Sequence, residues 1–197
     1  MRKILLTLVL VAFPLTAMAG ISGSKHDFTT TTWTNDICTP CHTPHNAQAV
    51  ANAPLWNHTV TTAAFSPYTG FDLNATVGTP SGVSLLCLSC HDGSVALDSF
   101  GATPGATATM TGAALFGTDL TNDHPISFTY DNALATADGE LFYPDTDTTS
   151  IGGTINADLM NSTNLVECSS CHDVHNTQSA LNAKLLRISN VGCALCI

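Results

Sequence analysis

The sequence predicts a mostly irregular fold with a few short helices and minimal strand. Long stretches are rich in glycine, threonine, alanine, asparagine and aspartate, so turn signals outnumber segments with helical or strand periodicity. Only 7% of the 197 residues are aromatic, which leaves little material for an ordinary hydrophobic core. The pentapeptide C-x-x-C-H occurs three times, so the chain is organised around a repeated local unit.

The three pentapeptides predict covalent attachment of haem c. In this motif the two thiols form thioethers to the haem vinyl groups, and the histidine binds the iron from one face. Zinc binding and redox-active C-x-x-C pairs are the alternatives, but neither requires a histidine directly after each second cysteine. Buried haems would supply the missing apolar mass, so the expected fold class is a multihaem cytochrome c packed around a chain of haems. The attachment cysteines are Cys38 and Cys41, Cys87 and Cys90, and Cys168 and Cys171.

The amino terminus has the pattern of a secretory signal. Arg2 and Lys3 precede an apolar run over residues 4–15, and residues 17–19 read Ala-Met-Ala, which is typical of a signal peptidase site. We therefore expect a signal peptide over residues 1–19 and a secreted product, extracellular or on the cell surface and otherwise periplasmic. Residues 20–197 are expected to form a single domain.

The charge of the processed chain excludes some partners. Without Arg2 and Lys3 it keeps three basic residues against 15 acidic ones, which gives a formal charge of −12. Such a chain is not expected to bind nucleic acid or an anionic membrane surface. No later stretch is long and apolar enough to predict a transmembrane helix.

The carboxyl end resembles the beginning of a fourth attachment motif. When the last residues are aligned with those before the second motif, Cys196 matches Cys87 and Cys193 matches Ser84. This alignment predicts that the sequence stops inside a fourth C-x-x-C-H, with Cys196 as its first cysteine. The alternatives are a disulfide between Cys193 and Cys196, or a haem attached without its proximal histidine.

Five further segments receive coarse assignments. The assignments rest on alanine content, hydrophobic spacing and turn residues. The sequence predicts a short helical piece within residues 46–57, a helical turn ending at 91, a long loop over 98–123, a short strand over 126–130 and a helix over 176–189.

The number of histidines predicts that each haem iron is coordinated by two of them. Each motif provides one proximal ligand, namely His42, His91 and His172. The processed chain has only two methionines, so histidine on both faces of each iron is the economical assignment, and it leaves no open site for a substrate. The five remaining histidines are the candidate distal ligands: His26, His45, His58, His124 and His175.

Two of these candidates have an informative spacing. His45 follows His42 by three residues, and His175 follows His172 by three residues. Residues i and i+3 share one face of a helical turn, so the second histidine cannot reach the far side of the iron that the first one binds. It can reach the iron of a neighbouring haem, and C-x-x-C-H-x-x-H therefore predicts two closely coupled haems.

The other candidates have weaker signals. Pro125 restricts His124 to an extended conformation, which would present its imidazole from a loop. His26 lies near the start of the processed chain and is the best candidate to ligate a haem of another subunit. Asp92 and Asp173 each follow a proximal histidine, where a carboxylate either orients the imidazole or faces solvent.

At these residues the chain resembles the exported multihaem c-type cytochromes of metal-reducing bacteria. It is most similar to the tetrahaem extracellular cytochromes that polymerise into conductive filaments. The resemblance implies bis-histidine haems in a continuous chain of parallel and T-shaped pairs, with one distal histidine donated by the neighbouring subunit. The matching segments are ISGSKHDF (21–28), CHTPHN (41–46), LCLSCHDGSVA (86–96), DHPISF (123–128), CSSCHDVHN (168–176) and LLRISN (185–190).

The expected function is electron transfer between closely spaced haems, without turnover of a substrate. The expected partners are other cytochromes or redox proteins, or further copies of the same chain in a homopolymer. The alternative is a multihaem reductase of a small oxyanion or a nitrogen oxide, which would need an iron with an open face. The surplus of histidine favours closed coordination.

Overall fold

The computed structural model describes residues 20–70, 72–103, 105–160, 164–177, 183–193 and 195. The predicted signal peptide and Cys196 lie outside the described residues. Most described residues are in turns, bends and irregular segments, which confirms the coarse prediction of an irregular fold with few short helices and strands. The helices are α1 (Gly82–His91), α2 (Asn132–Asp138), α3 (Ile155–Leu159) and α4 (Cys168–Cys171).

The strands form two small antiparallel pairs. One pair joins β1 (Gln48–Val50) to β2 (Ala53–Trp56), and the other joins β3 (Phe128–Thr129) to β4 (Leu165–Val166). In the second pair Phe128 lies opposite Val166 and Thr129 opposite Leu165. The predicted strand over residues 126–130 is therefore confirmed only for Phe128–Thr129, and its partner β4 leads through one residue into α4.

The first strand pair corrects the prediction of a helical piece within residues 46–57. Asn46, Asn52 and Leu55 all have positive φ, between 57° and 61°, which an α-helix excludes. The chain instead folds back on the first motif, where the Thr43 N–H donates to the Leu55 carbonyl (2.9 Å). Tertiary hydrogen bonds to the motif therefore override the helix propensity of alanine.

The predicted helix over residues 176–189 is also wrong where it can be followed. Residues 178–182 lie outside the described part of the chain. On either side, Asn176, Lys184 and Leu185 have φ between 55° and 59°, and residues 183–185 form a short 3₁₀ turn. The helical spacing of apolar residues in this segment does not produce an α-helix at either described end.

The longest helix, α1, carries the second motif at its carboxyl end. Ser84 and Ser89 are buried alongside Leu86 and Leu88, and the Ser89 hydroxyl donates to the Leu85 carbonyl (2.6 Å). Gly82 opens the helix with φ of 52°, and a side chain there would collide with the Glu167 carboxylate. α1 therefore approaches the chain before α4 closely, at a point where only glycine fits.

The buried apolar core of the described residues is small. It consists of scattered side chains from several segments, while ten polar or charged residues are equally buried. Burial of so many polar groups requires an internal hydrogen-bond network. The buried apolar residues are Ile21, Ala53, Leu86, Leu88, Leu120, Ala135 and Ile188. Among the described residues, no helix has the length and apolar character needed to cross a membrane.

We predict that Leu86→Ala lowers the free energy of unfolding by about 2–5 kcal/mol, because Leu86 is buried in a core with few other members. Chemical denaturation of the purified protein measures the change. Val191→Ala is the matched control, since Val191 is 84% exposed and its truncation should change stability by less than about 0.5 kcal/mol. Equal effects of the two substitutions would contradict the assignment of Leu86 to the core.

Candidate functional site

The three motifs adopt related local structures. In the first, the Cys41 and His42 N–H groups both donate to the Cys38 carbonyl, at 3.0 and 2.8 Å. The second motif forms the last turn of α1, and the third forms α4, followed by His172. Each motif is thus a single helical turn or its equivalent, which brings two thiols and one imidazole close together, as attachment to a single porphyrin requires.

The proximal histidines share one hydrogen-bonding arrangement. In each of them Nδ1 faces a backbone carbonyl oxygen, which can only accept a hydrogen bond, so Nδ1 must carry the proton. Nε2 then keeps its lone pair for a metal ion. The Nδ1–oxygen distances are 2.9 Å from His42 to Pro54, 2.7 Å from His91 to Ala114 and 2.9 Å from His172 to Lys184.

The structure brings the His175 ring close to the His42 ring, with the two ring planes nearly parallel. Their ring centroids are 6.0 Å apart and their planes differ by 15°. Two imidazoles that bind one metal ion from opposite faces, with metal–nitrogen bonds of about 2 Å, have ring centroids roughly 6 Å apart. His175 is thus spaced for an iron held by the first motif, although it belongs to the third.

His26 and His91 form a second pair of the same separation. Their centroids are also 6.0 Å apart, with the rings tilted by 52°. Burial and the neighbouring His91 and His172 imidazoles lower the pKa of His26 to about 4, so its imidazole is neutral at pH 7. Its Nδ1 is buried, with no hydrogen-bond partner among the described residues. A neutral, poorly solvated imidazole is well suited to bind a metal ion.

The three other candidate histidines lie in different surroundings. His45 is exposed, and its N–H lies 3.4 Å from the Thr43 hydroxyl. His58 is buried, with Nδ1 2.8 Å from the Thr59 carbonyl, and with Nε2 3.0 Å from the Ala96 carbonyl and 3.6 Å from the Cys90 sulfur. The described ring contacts do not pair either residue, or His124, with a proximal histidine.

His124 has a distinct position of its own. It is exposed at a shallow hollow whose other walls are mostly apolar. These walls include Pro67, Tyr68, Val77, Pro80, Leu120 and Ile126.

Exposed apolar side chains flank the paired imidazoles. Phe116 is 47% exposed and stacks on His91, with ring centroids 5.0 Å apart and planes 14° apart. Leu55 and Val174 are also exposed. Leu55 follows Pro54, whose carbonyl contacts His42, and Val174 directly precedes His175. A large flat apolar group would cover these side chains, so the residues present fit a porphyrin at both pairs.

The motifs are held next to one another by buried polar contacts. The Glu167 carboxylate accepts the Val83 N–H (3.0 Å), and the Ser84 hydroxyl accepts the Cys168 N–H (3.1 Å). A hydrogen bond between the Cys87 and Cys168 thiols joins the second motif to the third. Sequence reasoning missed Glu167, and no local pattern marks it, because its partners come from a distant helix.

The thiols of Cys41 and Cys90 are largely shielded from solvent, and each has another thiol nearby. Burial and the neighbouring Cys38 raise the pKa of Cys41 to about 11, while burial, Cys41 and Asp92 raise the pKa of Cys90 to about 12. Both groups are therefore protonated thiols at neutral pH. The influence of Cys41 on Cys90 also shows that the first and second motifs are neighbours.

Asp92 and Asp173 do not face solvent, but the proximal Nδ1 that precedes each of them contacts a backbone carbonyl rather than the carboxylate. Both are buried, at 6% and 7% exposure. Burial alone would raise the pKa of Asp173, but hydrogen bonds from Thr177 and His175 and the nearby Arg187 bring it below its ordinary value. Asp173 is therefore an ionised carboxylate inside the site.

Comparison with known proteins adds nothing to this description. A scan against models of protein families finds no match to the chain. No curated protein matches it significantly. Within the described part of the chain, no group of three His, Cys, Asp or Glu side chains is arranged to hold a metal ion.

We predict that Glu167→Ala lowers the free energy of unfolding by about 1–3 kcal/mol, because it removes a buried carboxylate and leaves the part-buried Val83 N–H without its acceptor. Chemical denaturation measures the loss. Glu140→Ala removes an exposed carboxylate and should change stability by less than about 0.5 kcal/mol. If Glu167→Ala behaves like Glu140→Ala, the contact between α1 and the third motif does not depend on Glu167.

Proposed function

We propose that this chain is an exported multihaem c-type cytochrome that carries electrons between closely spaced bis-histidine haems. The observation that carries the proposal is the arrangement of the proximal histidines. Each one donates through Nδ1 to a backbone carbonyl and so presents Nε2 as a ligand. The rings of two of them have their centroids 6.0 Å from the ring of another histidine, a separation that suits a shared iron.

The attachment and ligand roles follow from these positions. In each motif the two cysteines would hold one haem by thioether bonds. His175 would be the second ligand of an iron held by His42, and His26 that of an iron held by His91. If the third motif supplied His175 to the first, the same spacing would favour the reverse arrangement, with His45 as second ligand of an iron held by His172. His58 and His124 remain candidates for further haems.

The polypeptide sets the conditions for electron transfer. When bound, haem c supplies an iron that changes oxidation state by one electron. The chain keeps the proximal imidazoles in one tautomer and surrounds the paired rings with apolar side chains. Closed coordination by histidine on both faces gives low reduction potentials and leaves no position for a substrate. This distinguishes the proposal from a multihaem reductase.

Location and partners belong to the same proposal. The predicted signal peptide supports export, and a periplasmic or extracellular position suits a protein that passes electrons onward. Other cytochromes or redox proteins are the proposed partners, and a homopolymer is a further possibility that the resemblance suggests. The formal charge of −12 after processing favours partners with a cationic docking surface.

We predict that the chain, expressed in a host that attaches haem c, carries one covalent haem for each of its three complete motifs. Intact mass and a reduced pyridine–haem spectrum measure the number. Cys41→Ala combined with Cys38→Ala should remove one haem, because both thioether positions of the first motif are lost. A colourless product without covalent haem would contradict the proposal and favour zinc or disulfides.

We predict that His175→Ala and His26→Ala each open one iron, so that one haem in the oxidised protein changes from low spin to high spin. Electron paramagnetic resonance and optical spectra measure the spin state. Lys25→Ala is the matched control, since Lys25 is an exposed neighbour of His26 in the chain, and it should leave all haems low-spin. A high-spin signal already present in the unaltered protein would favour the reductase.

A further inference from the structure

The same short turn follows every motif. The residue directly after the proximal histidine has a side-chain oxygen that lies close to the backbone N–H two residues further on, which reverses the chain direction. This turn determines where the residue at the third position after the proximal histidine lies. The N–H to oxygen distances are 3.4 Å from His45 to Thr43, 2.6 Å from Ser94 to Asp92 and 3.0 Å from His175 to Asp173.

The three turns differ in charge and in what they position. The first combines the neutral Thr43 with a histidine, and the second combines a carboxylate with Ser94. The third alone places a carboxylate, Asp173, beside a histidine that faces a proximal ring. The first and third motifs therefore share the C-x-x-C-H-x-x-H spacing but differ by one buried negative charge.

The Asp173 carboxylate is fixed next to the His175 ring. Its Oδ1 lies 4.0 Å from His175 Nδ1, which is too long for a hydrogen bond but close enough for a charge interaction between the buried carboxylate and the half-exposed ring. Its Oδ2 accepts the Thr177 N–H (2.8 Å) and the Thr177 hydroxyl, so the group cannot rotate away. At His42, His91 and His172, by contrast, Nδ1 faces a neutral carbonyl.

We propose that Asp173 is a positioning residue for His175 whose charge lowers the reduction potential of the iron held between His42 and His175. The inference rests on the proposed function, since it needs an iron at that position. A fixed negative charge near an axial imidazole makes the ligand more basic and stabilises the oxidised, more positive iron over the reduced one. Thr43 supplies no such charge, so two motifs with the same spacing acquire unequal potentials.

The test is Asp173→Asn in the full-length, haem-loaded chain, followed by a potentiometric titration with optical detection. Asparagine keeps an oxygen for the His175 N–H but removes the charge. We expect one midpoint potential to shift upward and the others to shift less. Unchanged midpoints, or equal shifts of all of them, would overturn the inference. The proximity of Arg187 does not change the sign, because that charge is present in both proteins.

Thr43→Asn separates charge from turn geometry. It places the same side chain at the equivalent position of the first motif without changing the charge, and we expect no midpoint to shift. A shift as large as that of Asp173→Asn would show that the turn rather than the charge sets the potential, which would overturn the inference.

His175→Met identifies the haem that responds. It should change the same midpoint as Asp173→Asn, and adding Asp173→Asn to it should shift that midpoint less than it does with His175 in place. An undiminished shift would mean that the carboxylate does not act through His175. The pyridine–haem spectrum of each variant keeps this outcome separate from a failure of the proposed function, in which no haem is attached.

Discussion

The hydrogen bond from each proximal Nδ1 to a backbone carbonyl is the interaction on which the structure depends. Its acceptors lie 12, 23 and 12 residues along the chain from His42, His91 and His172. Each bond therefore closes a loop around one motif and fixes one ring orientation at the same time. A fold with little regular structure thus has its three motif histidines fixed by hydrogen bonds to distant backbone.

The polar interior follows from the shortage of apolar residues. Glu167, Ser84 and Ser170 are buried where α1 meets the third motif, and Thr61 donates to the buried Asp92 (2.6 Å). Such groups are stable inside a protein only when their hydrogen bonds are satisfied, and those of Glu167, Ser84 and Asp92 join distant segments of the chain. The chain thereby holds its motifs in place without a large core, and it leaves apolar side chains exposed beside the paired imidazoles.

Sequence reasoning reached the motifs, the irregular fold class and β3, because these depend on local patterns. It failed at residues 46–57 and 176–189, where contacts with the first and third motifs override alanine content and leucine spacing. The sequence also does not predict which carbonyls contact the proximal histidines. Pro54, Ala114 and Lys184 contribute backbone oxygens, which every residue type has. Only the tertiary structure shows which proximal histidine lies beside His26 and which beside His175. The three-residue spacing predicts that His175 does not share an iron with His172, but it does not predict which other histidine it pairs with.

The three motifs lie next to one another, and the third contacts both of the others. It donates His175 toward His42 of the first motif, while its Cys168 thiol contacts Cys87 of the second. A segment far along the chain thus joins two motifs that precede it, and the β3–β4 pair and Glu167 hold it there. Loss of this segment would remove His175 from His42 and the Glu167 and Ser84 contacts from α1.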